Sequence, residues 1–337
     1  MNLEKPHAEI IVAYSGAHPA HQQMLADCCT RCIKMLGDWA PGKQLSNKQK
    51  MSAYIKVALK LRKSAERRIV IEGTTPAAIM APIIKCCNTK PKTIIALCGE
   101  DTLYRAFIEN IPRDRFLLKA SFRYISGIIA SGDLVARIAN EHCPSLPIEI
   151  RYPQLSQRAI AEMSEVQPAL ESRNMVLIGS GSAYTKGADI AIQCLDYLKA
   201  DFPDAKLIVI GKLDVKPHPG VEILGAVEDI RSYLSASSVL IHPGRGEAFG
   251  VAIVEAMLAG VVPFVSEWTG AASVVEKVAP RLIAPLQPEE FAERIAAHWH
   301  ATTVDREVRS KQCRDIASSS VKQFAHQQSL LDFLVKL

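Results

Sequence analysis

Short runs of β-branched and aliphatic residues recur along the chain. Each ends in glycine, serine or an acid, and a helical apolar pattern follows most of them. In the first half such runs predict strands over 9–14, 68–71, 93–97, 127–130 and 147–150. Helices are expected over 19–36, with Pro19 in the first turn, and over 76–87 and 134–142. The second half repeats the alternation, with strands over 175–178, 206–210, 221–224, 239–241 and 261–265. Its helices are expected over 187–200, 227–236, from 250 onward and over 288–299, and a terminal helix over 318–337. Strands alternating with helices require crossover connections, hence parallel sheets covered by helices. A polar stretch, 152–173, separates the two series. The expectation is an α/β chain of two Rossmann-like domains whose parallel sheets face each other across a cleft, ligands lying beyond the carboxyl ends of the strands.

One segment departs from the even distribution of charge. Residues 43–68 hold nine Lys and Arg (Lys43, Lys48, Lys50, Lys56, Lys60, Arg62, Lys63, Arg67, Arg68) against a single acid, Glu66. Met51, Tyr54, Ala58 and Leu61 recur at helical spacing, so the segment reads as a basic amphipathic helix with those residues toward the core. Its cationic face is either simply solvated or set against anionic lipid head groups in a peripheral membrane contact. Nucleic acid is not expected as a partner, because aromatic stacking residues and a recognised binding module are absent.

Composition narrows the setting. At 337 residues the chain has room for two domains, and its net charge is +5. No apolar run reaches the length of a membrane span, and the start lacks a basic-then-apolar leader, so a soluble cytoplasmic protein is expected. Nine cysteines, Cys28, Cys86, Cys87, Cys98 and Cys194 among them, fit reduced thiols in apolar segments. His18, His21, Cys29 and Cys32 lie close in sequence, but Cys29 and Cys32 share an expected helix with Met24, Leu25 and Ile33, where packing accounts for them. No metal site is expected.

Candidate chemistry concentrates in the second half. Gly179-Ser180-Gly181-Ser-Ala-Tyr-Thr-Lys186-Gly187 leaves a strand and feeds a helix, which suits an anion cradle. It is not a Walker A loop, lacking Gly-Lys-Ser/Thr. It also fails the dinucleotide fingerprint, because position 184 is not glycine and the next strand ends in Gly211-Lys212 rather than an acid. Farther on, Pro243-Gly-Arg245-Gly-Glu247-Ala-Phe249-Gly250 leads into a helix bearing Glu255, seven residues separating the two glutamates. The first turn of such a helix offers unpaired N–H groups and a positive dipole end to a diphosphate. Glu247 can accept hydrogen bonds from a polyhydroxylated group, and Glu255 from a vicinal diol such as ribose. The arrangement suits a sugar nucleotide.

Glu247-Ala-Phe-Gly-Val-Ala-Ile-Val-Glu255-Ala-Met, with Gly260-x-x-Pro263 after it, resembles the E-x7-E signature of retaining glycosyltransferases with the two-domain GT-B fold, the glycosyltransferase group 1 (GT4-like) family. Lys186-Gly187, Leu224-Gly225 with Asp229, and Ser266-x-x-x-Gly270 with Glu276 resemble further landmarks of that family. The resemblance covers about residues 175–295 well and the first half in outline. It implies a metal-independent hexosyltransferase that moves a sugar from a nucleoside diphosphate donor to an acceptor hydroxyl with retained configuration, and needs no cofactor. Glu247 and Lys186 are then the catalytic pair, Glu247 on the transferred sugar and Lys186 on the departing diphosphate. Glu255, Phe249, Gly250, Gly179, Ser180, Gly181, Arg245 and Gly225 line the donor. Residues 1–155 form the acceptor-side domain, with Gly16, His18, Glu100 and Asp101 nearest the acceptor, which is a lipid, a glycan or a small molecule. Residues 170–317 form the donor-binding domain, and the helix over 318–337 crosses back to the first domain.

Three positions depart from the family pattern. Ser180 stands where an arginine usually supplies a second phosphate clamp, and a hydroxyl does not replace a guanidinium fork. Gly99 stands where a histidine commonly follows the third strand, and the glycine pair after the first strand is reduced to Gly16. Either Arg245, Lys212, Glu100 or Asp101 takes over, with a changed donor or acceptor, or the chain is a degenerate GT-B protein that binds sugar nucleotides as a sensor or scaffold subunit.

Overall fold

The computed structural model describes residues 10–14, 25, 31–36, 45–86, 92–99, 101–325 and 330–337. The chain divides into two compact units, residues 1–154 with 327–337, and residues 155–326. Unit 1 contains β1 (Ile10–Tyr14), β2 (Arg31–Lys34), α1 (Asn47–Lys63), β3 (Arg68–Glu72), α2 (Thr74–Lys85), β4 (Thr93–Cys98), α3 (Thr102–Phe107), α4 (Pro112–Ser121), β5 (Gly127–Ala130), α5 (Asp133–His142) and β6 (Ile148–Ile150). Unit 2 contains α6 (Gln157–Ser164), β7 (Asn174–Ile178), α7 (Ala188–Leu198), β8 (Lys206–Ile210), β9 (Val221–Gly225), α8 (Arg231–Ser235), β10 (Val239–His242), α9 (Val251–Leu258), β11 (Val262–Ser266), α10 (Ala272–Val275), β12 (Ile283–Ala284), α11 (Pro288–His300) and α12 (Thr303–Ala325). The last helix, α13 (Leu330–Lys336), belongs to unit 1.

Each unit carries a six-stranded sheet, in the order β2-β1-β3-β4-β5-β6 and β12-β11-β10-β7-β8-β9, and every paired neighbour is parallel. Parallel strands are covered on both faces, which is why Ile69-Val70-Ile71, Ile94-Ile95-Ala96-Leu97 and Val239-Leu240-Ile241 are unbroken apolar runs with no exposure at all. In unit 1 the core joins Ile10, Val12, Tyr14, Val70, Ile95, Leu97 and Ile129 to Leu330 and Leu334 of α13. Arg68 fixes that helix by donating from Nε to the Leu334 carbonyl at 2.7 Å.

Several expectations need correction. The end of the helix expected over 19–36 is the strand β2, paired with β1 from Ile11↔Arg31 to Tyr14↔Lys34. Arg31, Cys32 and Lys34 are exposed on this edge strand, so no inward-facing alternation marks it, and its basic residues discourage pairing with another chain. Cys32 is therefore not a core residue of a helix; His18, His21 and Cys29 lie outside the described residues. Cys86 is exposed, while Cys98 and Cys194 are buried as expected; Cys28 and Cys87 lie outside the described residues.

The basic segment is the helix α1, opened by a capping box in which Ser46 and Gln49 exchange side-chain and backbone hydrogen bonds. Tyr54, Val57, Ala58 and Leu61 are buried. Met51 is not: it is 43% exposed and continues with Ile55 at 39% and Leu59 at 44% as a second apolar stripe on the outer side.

The terminal helix starts much earlier than 318. Helix α12 runs from Thr303, and its buried face carries Arg306, Ser310, Cys313, Ala317 and Ser320, so no apolar stripe announces it. The change of unit follows residue 326 rather than 317. The polar residues on that face satisfy the carbonyls that end α9: Arg314 donates to Leu258 at 2.9 Å and Ala259 at 2.8 Å, and Ser310 to Gly260 at 2.7 Å.

Candidate active site

In unit 2 the strand order reverses at β7, with β8 and β9 on one side and β10, β11 and β12 on the other. Loops leaving adjacent strands at such a reversal part to opposite faces and open a crevice at the carboxyl ends. The loop after β7 is 179–187 and the loop after β10 is 243–250. Both carry candidate residues, and they meet. Gly187 has a φ of +70°, and a Cβ there would stand 1.9 Å from the Pro243 carbonyl oxygen, so only glycine allows this approach. Arg245 closes the junction. Its N–H donates to the Thr185 carbonyl at 2.7 Å, and its guanidinium grips both Asp189 carboxylate oxygens at 2.8 Å and the Tyr184 carbonyl at 2.8 Å. The same guanidinium lies 4.1 Å from the Tyr184 ring centre. Arg245 is thus engaged as a fastener between the two loops.

The second loop is anchored on its other side as well. Ser266 donates to the Gly244 carbonyl at 2.5 Å, Gly246 to Trp268 at 3.1 Å, Gly270 to Glu247 at 2.8 Å, and Ala271 to Phe249 at 2.7 Å. Phe249 is buried, its ring set edge-on to Phe324 of α12 at 5.6 Å. Gly250 then opens α9.

Within this frame Lys186 donates to the Glu247 carboxylate. His242, the last residue of β10, places Nε2 3.4 Å from Glu247 Oε2. The Glu247 side chain is only 14% exposed. Burial by itself would raise its pKa, but the Lys186 ammonium and His242 together hold it well below the usual carboxylate range. Glu247 is therefore a charged, mostly buried acid. Glu255, on α9, behaves in the opposite way. Its carboxylate makes no hydrogen bond or ion pair among the described residues, and burial pushes its carboxyl up.

The remaining expected donor residues lie at the carboxyl ends of β7 and β9. Gly181 donates to the Lys212 carbonyl at 3.2 Å, and Gly211 to the Gly225 carbonyl at 2.7 Å, tying the ends of β7, β8 and β9 together. Gly179 lies under the Lys186 stem, and Ser180 is exposed. On the acceptor side, Asp101 precedes α3 in unit 1, whereas Gly16, His18 and Glu100 lie outside the described residues. Among the described residues no group of three His, Cys, Asp or Glu is placed to hold a metal ion.

Sequence reading passed over His242, Asp189, Tyr184 and Arg314. A histidine ending an otherwise aliphatic strand was a usable signal for the first. The others are recognisable only once the loops and α12 are assembled.

Comparison with known proteins agrees with this frame. Residues 172–300 match the family model described as Glycosyl transferases group 1. That span covers β7 to α11 and contains both loops. The second unit belongs to the group 1 glycosyltransferases. A phosphatidyl-myo-inositol mannosyltransferase of Mycolicibacterium smegmatis is 29% identical to this chain over 45% of its length and 42% of the relative's. The gpi3 subunit of the phosphatidylinositol N-acetylglucosaminyltransferase of Schizosaccharomyces pombe is 23% identical over 44% of this chain and 35% of that one. The chain thus spans about half or less of the curated relatives it matches in these alignments. Across the whole length the fold is GT-B. Anabaena Alr3699/HepE in complex with UDP and glucose has a TM-score of 0.66 at 17% identity, covering 98% of this chain and all of that one. WaaG, a glycosyltransferase involved in lipopolysaccharide biosynthesis, has a TM-score of 0.63 at 14% identity over 94% of this chain and all of WaaG. The matched span contains Lys186, Glu247 and Glu255.

Proposed function

We propose that the chain transfers a hexose-type sugar from a nucleoside diphosphate sugar to an acceptor hydroxyl, with retained configuration and without a divalent metal. The observation that carries this reading is the Lys186–Glu247 pair at the strand reversal of unit 2, with the unpartnered carboxylate of Glu255 on the helix that follows. In the reaction the bond between the sugar's C1 and the diphosphate oxygen breaks, and its electron pair leaves with the diphosphate. The acceptor oxygen bonds to C1 on the same face, and its proton passes to the departing phosphate oxygen. The transition state is oxocarbenium-like. Lys186 neutralises the developing charge on the leaving group, the task a metal ion performs elsewhere. Glu247 holds hydroxyls of the transferred sugar, and Glu255 the ribose diol. The intact Lys186–Glu247 pair speaks against a purely binding role.

Thermal shift against UDP, GDP, ADP and their sugar conjugates identifies the donor, because a ligand that binds only the folded chain raises its melting temperature. With that donor, Glu247→Ala is expected to lower transfer by about 10²-fold or more while the wild type stays active in EDTA. Binding of a diphosphate with no turnover by the wild type under any acceptor would replace this reading with the sensor or scaffold.

For the acceptor, the relatives named above act on phosphatidylinositol lipids by their names, which favours a lipid over a free glycan or a small molecule. A peripheral, cytoplasmic-side membrane contact fits that choice. No described helix is long and apolar enough to cross a membrane. Helix α1 instead offers Met51, Ile55 and Leu59 to the outside, with Lys48, Lys56, Lys60 and Lys63 exposed beside them and no acid within the helix. Apolar side chains flanked by lysines suit an anionic lipid surface as the partner of this face.

A further inference from the structure

Lys186 serves two claimants. In the unliganded site its ammonium is paired with Glu247, and its stem lies over Gly179, where a Cβ would come within 3.1 Å of Cγ and Cδ. The donor reading requires the same charge on the diphosphate. When the lysine turns to the phosphates, a mostly buried carboxylate loses its counter-charge, which is strongly unfavourable for a lone ion. Among the described residues one other N–H group faces that carboxylate, His242.

The condition of His242 is unusual for a core histidine. It is 2% exposed, its Nδ1 has no hydrogen-bond partner among the described residues, and its Nε2 stands 3.4 Å from Glu247 Oε2 without a well-formed hydrogen bond. A buried imidazole left in this state costs free energy. The ring fills space that glycine leaves: a Cβ on Gly244 would lie 3.0 Å from His242 Cδ2 and Nε2 and 3.2 Å from Glu247 Cβ. Among the described residues no strong hydrogen bond fixes the ring, and a movement of a few tenths of an ångström brings Nε2 into good range of the carboxylate.

We infer that His242 is a positioning residue that takes over the Glu247 carboxylate when the donor diphosphate draws Lys186 away. The inference rests on the donor site proposed above. The imidazole N–H replaces the ammonium as donor to Oε2, so Glu247 keeps its orientation toward the transferred sugar while Lys186 serves the leaving group.

The test is a binding cycle on the full chain with UDP, GDP or ADP, whichever the wild type binds, measured by calorimetry. His242→Leu is expected to weaken binding about tenfold in the wild-type background and to leave it unchanged in the Glu247→Gln background, where no charge awaits rescue. Glu247→Gln alone is expected to bind the diphosphate several-fold more tightly, since Lys186 is released; the coupling of groups in contact is of this order. His242→Asn, which keeps an N–H, recovers part of the loss. Equal weakening in both backgrounds, or none in either, overturns the inference and leaves the donor site standing. If the wild type binds no nucleoside diphosphate, the donor site itself falls. A ligand-free arm guards against variants that fail to fold: removing His242 is expected to lower the melting temperature more in Lys186→Met than in the wild type, and additive losses count against the role.

Discussion

The two units are assembled from the same parts, yet they present opposite kinds of surface. Each has six parallel strands, and in each the strand order reverses once, between β1 and β3 in unit 1 and at β7 in unit 2. In unit 2 the charged groups are drawn inward: Lys186, Glu247 and His242 meet in a mostly buried cluster, and Arg245 and Asp189 fasten the loops that carry them. In unit 1 the lysines of α1 stay outside, spread along its solvent side next to apolar residues that find no core. The same alternation of strands and helices thus carries either an inward cluster of unlike charges or an outward cationic face, and the difference lies in which segments bring unlike charges together. Buried pairs act through geometry at short range. Exposed lysines act through summed attraction that salt weakens.

The contrast can be broken most decisively at Lys186. Lys186→Ala is expected to reduce transfer by roughly 10²–10³-fold, the usual cost of deleting one preorganised group at a developing negative charge, while vesicle binding is unaffected. A loss of vesicle binding in that variant would merge the two surfaces into one. The reciprocal change is Lys56→Ala with Lys60→Ala. At about 1 kcal/mol per lysine near an anionic surface, the pair is expected to weaken sedimentation with phosphatidylglycerol-containing vesicles by roughly 30-fold, with donor affinity unchanged. Equal binding to neutral vesicles, or binding insensitive to salt, would point to an acidic protein partner or to apolar insertion alone.

Smaller effects sharpen the picture inside unit 2. Burial raises the Glu255 carboxyl, so its ionised form destabilises the fold above that pKa. Glu255→Gln is therefore expected to raise the melting temperature at neutral pH while weakening donor binding about tenfold, the loss of one charge-assisted hydrogen bond. A variant that both melts lower and binds equally well would remove Glu255 from the donor site. Glu247 has the reverse sign. Its carboxyl is depressed in the folded chain, so its contribution is complete above the ordinary value of 4.5 and is lost as the pH falls below that toward the folded pKa. Acid titration of the wild type against Glu247→Gln should show the wild type losing stability more steeply below 4.5, and parallel curves would contradict the buried ion pair.

How much of this was legible beforehand depended on the kind of signal. The apolar strands and the Gly-opened helix α9 declare themselves, because parallel strands are buried on both faces and a helix after glycine repeats its apolar positions. Edge strand β2 did not, since Arg31, Cys32 and Lys34 face solvent and leave no alternation. Helix α12 was read fifteen residues short for a related reason: its inward face is built from Arg306, Ser310 and Cys313, which are useful against the carbonyls ending α9 but carry no apolar period. Met51 was assigned to the core because a 3-4-3 count fits two neighbouring stripes on one helix equally well. Glu247 and Glu255 stand out through their spacing and Lys186 through its place in a Gly/Ser loop, whereas nothing in the order of residues reveals that Asp189 lies opposite Arg245.

Taken alone, the order of residues determines the alternation of strands and helices, the glycines where backbone must approach backbone, and the presence of two acids and a lysine near strand ends. These follow from local conformational preference and from periodicity, which act over a few residues. Only the tertiary structure decides that Lys186 pairs with Glu247 across sixty-one positions, that His242 lies unsatisfied beside them, and that Met51, Ile55 and Leu59 are left outside. Such facts depend on burial and on distances of a few ångströms between segments remote in sequence, because electrostatic and hydrogen-bond energies are set by separation, orientation and local dielectric.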